Sequence, residues 1–320
     1  MKIGIIGLGY IGNVHARIFA RDERVEVAAH YDIIHERAVA ASKVVGGKAC
    51  TSREELLKNC DAVLVCTPNR THTEIASHAV TEGKHVFCEK PFSIGLDDAK
   101  KLLDIANSSD KVFQVGHNRR YAPVYVKLKE LLATDRAHSA HIKMNRGELK
   151  NPVWTGDVGV TGGFLYETTI HLFDMARHQF GEIEELVAYG SQHEYPELDE
   201  FSILFKFKSG FHCTFASSSD ASWHFPFERV EVFAHHRTIM TEEMERLIDS
   251  RGEDANFETI SFAMTEKEER WGYVQEDRAF VDAILSGTEP PVTALDGYKS
   301  VELVEAVYNA IKSGEKVRLG

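Results

Sequence analysis

The chain has 320 residues, 43% of them hydrophobic, with 37 Lys and Arg against 49 Asp and Glu for a formal net charge of −12. That length favours two domains, and the acidic balance argues against a general binder of nucleic acid or anionic membrane. No signal peptide and no bilayer-spanning apolar run is read from it. Its scattered cysteines (Cys50, Cys60, Cys66, Cys88, Cys213) lack a C-x-x-C pair and suit buried thiols in a reducing cytoplasm, with no structural zinc or other metal site.

In chain order, the first feature is a short apolar strand at 2–6 running into Gly7-Leu8-Gly9-Tyr10-Ile11-Gly12 and then a helix. Gly7 lets the chain turn sharply, Gly9 has no Cβ to block a pyrophosphate, and Gly12 lets the helix pack closely on the strand. The helix N-terminus offers free N–H groups and partial positive charge to phosphates. Asp32, twenty residues past the last glycine, falls where a carboxylate accepts hydrogen bonds from an adenosine ribose. Strand, turn, helix and distal acid together predict dinucleotide binding. Asp32 favours NAD over NADP because its charge repels a 2′-phosphate, and Ile33-Ile34 supply no cation; His35 and Arg37 follow closely.

Strands at 25–31, 62–66, 85–88 and 112–115 alternate with helices at 10–20, 35–43, 53–58, 71–82 and 96–107. Short apolar strands alternating with amphipathic helices predict a doubly wound parallel sheet, with ligands at the carboxyl ends of its strands. The chemistry of this half gathers there: Cys66-Thr67-Pro68-Asn69, Glu89-Lys90-Pro91 and Gly116-His117-Asn118. Lys90 is either a ligand for a substrate oxygen or a solvated loop lysine, and Pro91 shapes that loop, with a cis bond one way to do so. The stretch from Gly116 to Pro123 reads equally as a cleft segment or as an inter-domain turn with two surface arginines.

Beyond about residue 120 the pattern changes. A helix at 124–132 precedes an alternating segment at 138–146, a glycine-rich loop and a helix at 163–179. Period-two strands follow at 185–191, 201–207, 211–217, 228–234 and 257–264, then helices at 273–286 and 297–313. Consecutive strands with one helix cluster predict an α+β domain on an open, mainly antiparallel sheet. In the helix at 163–179 Glu167 and His171 share a face, as do His171 and Asp174. A histidine beside a carboxylate suits proton removal from a hydroxyl; a surface pair or a core histidine is the alternative.

GLGYIG at 7–12, CTPNRTH at 66–72, EKP at 89–91, GHNRRYAP at 116–123, GG…IHLFD at 162–174 and EDRAFVDAILSG at 276–287 together resemble the Gfo/Idh/MocA oxidoreductase family over nearly the whole chain. The resemblance implies a Rossmann domain over 1–120 and a substrate-binding and oligomerisation domain over 121–320. It also implies a cytoplasmic homodimer or homotetramer that oxidises or reduces sugars, cyclitols or related polyols with NAD(P). Carried over by position, Lys90 binds and polarises the reacting oxygen, His171 is the acid/base and Glu167 takes the supporting carboxylate position. Many members have Asp-x-Gly-x-His there; here the carboxylate is one methylene longer and the glycine is a threonine. The expected cofactor-binding set is Gly7, Gly9, Tyr10, Ile11, Gly12, Asp32, Thr67, Pro68, Asn69, His72, Glu89, Lys90 and Asn118. Lys90, His171 and Tyr273 are expected to touch substrate, and Arg146, Trp154 and Trp271 are further pocket residues or else core or oligomer interface. A redox-assisted glycoside hydrolase that retains its NAD, or a non-catalytic dinucleotide-binding regulator, are the alternative readings.

Overall fold

The computed structural model describes residues 1–146, 153–222, 226–253 and 256–320, and the chain divides into two compact units. The first comprises Met1–His117 and Tyr273–Val301. Its sheet contains β1 (Lys2–Ile6), β2 (Glu26–Tyr31), β3 (Lys48–Ala49), β4 (Ala62–Val65), β5 (His85–Glu89) and β6 (Phe113–Gly116), all parallel in the order β3-β2-β1-β4-β5-β6. The crossover from β3 to β4 lays β4 on the other side of β1, reverses the strand order and puts the switch point between β1 and β4, where a doubly wound sheet binds its ligand. Helices α1 (Tyr10–Phe19), α2 (His35–Val45), α3 (Arg53–Leu57), α4 (His72–Thr81) and α5 (Leu96–Asn107) connect the strands. In α5 the buried residues Ala99, Leu102, Leu103 and Ala106 recur at helical spacing, and Asp97 and Asp98 in the first turn face the positive end of the helix dipole.

Residues 118–272 and 302–320 form the second unit. It begins with α6 (Pro123–Leu132) and β7 (Ser139–Asn145), followed by the one-turn helix α7 (Val158–Thr161), α8 (Ile170–Phe180), β8 (Ile183–Ser191), β9 (Glu200–Phe207) and β10 (His212–Ser218). Four more strands follow, β11 (Glu228–Ala234), β12 (Arg237–Glu242), β13 (Arg246–Arg251) and β14 (Phe257–Ser261), then α9 (Lys267–Arg270); α10 (Tyr273–Ser286) opens the return to the first unit. Helix α11 (Ala294–Ser313) and β15 (Val317–Arg318) close the chain. The sheet order is β14-β13-β12-β11-β7-β10-β9-β8-β15, antiparallel except between β7 and β10. Strict alternation along β9 and β10 buries one face: Phe205 and Phe215 pack on Phe173 of α8 at ring separations of 5.6 and 5.0 Å. Each such fully buried ring contributes roughly 1.5–3 kcal/mol relative to an exposed one.

The segment 273–301, read from sequence as part of a continuous second domain, groups by contact with the first unit, where Phe280 of α10 packs on Phe87 of β5 at 5.7 Å. Two expectations change. The helix expected at 163–179 is not uniformly α: Leu165–Thr169 forms a π-helical turn ahead of α8. Of Arg119 and Arg120, weighed as surface arginines, Arg119 is buried and Arg120 half-buried, with its side chain 8% exposed.

Candidate active site

In the first unit the glycine turn is enforced by close packing. A Cβ on Gly12 would collide with the Gly7 carbonyl oxygen, and Gly7 itself sits at φ +90°, where only glycine is unstrained. Gly9 is different: nothing lies within 4 Å of where its Cβ would be, so the backbone at the start of α1 opens onto space. Asp32 is buried and fixed at both oxygens, accepting from the Leu8 N–H at 2.7 Å and the Ile34 N–H at 2.8 Å. The Arg37 guanidinium reaches the same carboxylate at 3.8 Å, while Ile33 and Ile34 are exposed. An open glycine, a helix N-terminus with no side-chain cap and a fixed carboxylate at the end of β2 fit NAD.

The loops after β4 and β5 are stitched together by His72. Its ring nitrogens lie 2.7 Å from the Thr67 and Pro91 carbonyl oxygens, and burial pulls its pKa down. Thr67 is half-buried, Pro68 exposed and Asn69 buried. The Lys90–Pro91 bond is cis, Lys90 is half-buried, and its N–H donates to the Glu89 carboxylate at 3.1 Å. Glu89, expected to meet the cofactor, is turned into the interior. Its Oε1 lies 3.1 Å from His15 Nε2, and the other ring nitrogen of His15 lies 2.8 Å from Asp277. Tyr273, expected to touch substrate, packs edge-on against His15 at 5.8 Å.

In the second unit, Asn118 donates to the Trp271 carbonyl at 2.8 Å and its side-chain oxygen accepts from Arg119 at 3.2 Å. Arg119 pairs with the fully buried Glu228 at 2.9 Å, which also accepts from Tyr125 at 2.7 Å. The Trp271 ring lies under Arg119 at 5.0 Å and Lys267 at 5.3 Å. Arg120 grips Asp174 through two bonds of 2.7 and 2.6 Å, so the carboxylate weighed as a partner of His171 is engaged by an arginine. Glu167 is buried and His171 half-buried, flanking the π-to-α junction. Arg146 reaches the Thr168 hydroxyl at 3.4 Å, and Trp154 is partly exposed. Sequence reasoning did not single out His15, Asp277 or Glu228; the residues each of them meets lie 74 or more positions away.

Residues 1–117 match the Gfo/Idh/MocA oxidoreductase family, NAD-binding Rossmann fold, and residues 129–319 match the C-terminal alpha/beta domain of the same family. The chain belongs to this family and is an oxidoreductase with an NAD-binding domain. Among its relatives, the myo-inositol 2-dehydrogenase of Thermotoga maritima is 30% identical over 333 aligned positions, spanning 100% of this chain and 98% of the relative. The scyllo-inositol 2-dehydrogenase (NAD(+)) of Bacillus subtilis is 25% identical over 100% of this chain and 96% of its own. A solved probable dehydrogenase from Thermotoga maritima superposes with a TM-score of 0.84 at 28% identity, covering 99% and 98% of the two chains. Levoglucosan dehydrogenase in complex with NADH and levoglucosan shares the fold, with a TM-score of 0.90 at 20% identity over 100% and 99% of the chains.

Proposed function

We propose that the protein transfers a hydride reversibly between NAD and a secondary hydroxyl or ketone of a cyclitol or sugar. Lys90 holds the reacting oxygen and favours negative charge on it. His171 takes the hydroxyl proton in oxidation and returns it in reduction, with Glu167 supporting its charge. The nicotinamide, when bound, accepts or gives the hydride. Gly7, Gly9, Tyr10, Ile11 and Gly12 hold the pyrophosphate side and Asp32 the ribose, with Thr67, Pro68 and Asn69 at the next strand end. The observation that carries the reading is the anchoring of Lys90 at the carboxyl end of β5, through Glu89 on one side and His72 with Pro91 on the other. The inositol dehydrogenases among the relatives favour a cyclitol as the first substrate to try.

The test is NADH formation, followed by its near-ultraviolet absorbance, with NAD and a panel of inositol isomers, monosaccharides and glycosides. NADH appearing with a cyclitol or sugar supports the reading. A silent panel from a protein that binds NAD contradicts it and favours a redox-assisted hydrolase or a regulator.

We also assign self-association to the open face of the second sheet. Val187, Tyr189 and Leu204 stand exposed there beside His141, Lys143 and Arg229, an apolar centre with a polar surround. Leu204→Glu should convert a dimer or tetramer to smaller species in light scattering.

A further inference from the structure

We infer that His15 is a positioning residue for Lys90, acting through the Glu89 carboxylate with Asp277 behind it. The inference rests on the role proposed for Lys90 and extends it to buried residues behind that lysine. His15 lies in α1, fully buried, and its two ring nitrogens meet one carboxylate each: Asp277 of α10 at 2.8 Å and Glu89 of β5 at 3.1 Å. Three buried ionisable groups from three elements of one compact unit thus form a chain, Asp277–His15–Glu89. The far oxygen of Glu89 accepts the Lys90 N–H at 3.1 Å, so the chain ends on the backbone of the lysine. Gly116 on β6 closes the remaining side, where an added Cβ would stand 3.0 Å from Glu89 Oε1.

Apolar packing alone needs no such device, because burying charges costs several kcal/mol per ion unless they are well paired. Pairing here is good. Burial works against the charge on His15, but the Asp277 and Glu89 carboxylates outweigh it and hold its pKa well above the ordinary histidine value. An imidazolium that donates at both nitrogens fixes the Glu89 rotamer, and a fixed Glu89 fixes where the chain leaves β5. An error of about 1 Å in a catalytic group costs on the order of 100-fold in rate, which gives the constraint its purpose.

His15→Gln, Glu89→Gln and Asp277→Asn, each checked for native circular dichroism, are compared with Lys90→Ala for kcat and for NADH affinity by fluorescence. Asp277→Asn preserves shape and serves if His15→Gln fails to fold. The inference expects kcat to fall by roughly 10- to 100-fold in the His15 and Glu89 variants with NADH affinity unchanged. It also expects the His15→Gln/Glu89→Gln double variant to be no worse than the poorer single one, since both cut the same chain. Wild-type kcat in folded His15→Gln and Asp277→Asn, additive losses in the double variant, or an equal fall in NADH affinity would overturn it. If Lys90→Ala keeps wild-type turnover, the functional reading itself fails and this inference falls with it. If Lys90→Ala is dead and the His15 variants are fully active, the inference alone fails.

Discussion

Asp32 at the end of β2 accepts the backbone N–H of Leu8, inside the glycine turn after β1, at 2.7 Å. The residue proposed to read the ribose therefore also braces the turn proposed to hold the pyrophosphate. Loss of a hydrogen bond to a charged group costs about 1.5–3 kcal/mol, so Asp32→Ala should lower kcat/KM with NAD by about tenfold or more. It should also raise the relative use of NADP, because the repulsion of a 2′-phosphate disappears and Arg37, now 3.8 Å from the carboxylate, is released. Initial rates with both cofactors measure this. An unchanged NAD/NADP ratio would contradict it.

Arg120 and Asp174 form a pair whose side chains are 8% and 0% exposed. Asp174→Ala leaves a guanidinium buried without its carboxylate, and removing one partner of such a pair costs about 3–5 kcal/mol. The midpoint of chemical denaturation should fall accordingly. The double replacement Arg120→Met/Asp174→Leu should recover much of the loss, because no buried charge remains unpaired.

Glu197 supplies a pH dependence. Its Oε2 accepts the Phe164 N–H at 3.1 Å, just ahead of the π-helical turn, and burial pushes its pKa from 4.5 up to about 7 against that hydrogen bond. A carboxyl whose pKa is raised on folding is protonated in the native state while the unfolded chain has already ionised. Stability from this group is thus fully present below about 4.5 and is lost as pH rises to about 7. Asp277, pushed up to about 6 by burial, adds a slope of the same sign. Glu197→Gln should flatten the fall in melting temperature across this window without abolishing it. A variant with the wild-type slope would show that Glu197 is not raised.

Much of the first unit was legible because its strands are short apolar runs and its helices repeat at helical spacing. The exception is β3, whose two residues carry no periodic signal. In the second unit, β12 and β13 escaped notice. Their exposed positions are charged or polar, as in Arg246, Ser250 and Arg251, the buried Asp249 breaks the apolar alternation, and their turns use His236 and Glu243 at positive φ where glycine or asparagine would have marked a hairpin. The π-helical turn was hidden because a change of helical pitch over Leu165–Thr169 leaves the apolar pattern nearly intact. Motif residues such as Gly12, Asp32, His72 and Lys90 stood out through local spacing. The partners that hold them did not: His15 and Asp277 are 262 positions apart, and only the packing of α10 brings them together.

The measurement that bears most directly on the proposed hydride transfer is NADH formation from NAD and inositol isomers by the wild type, Lys90→Ala and His171→Ala, with NADH binding followed in parallel. Wild-type turnover with at least one cyclitol or sugar, lost by about 100-fold or more in both variants while NADH still binds, is the predicted result. Variants that turn over at the wild-type rate would contradict the roles given to Lys90 and His171. No NADH from a wild type that binds NAD would contradict the dehydrogenase itself.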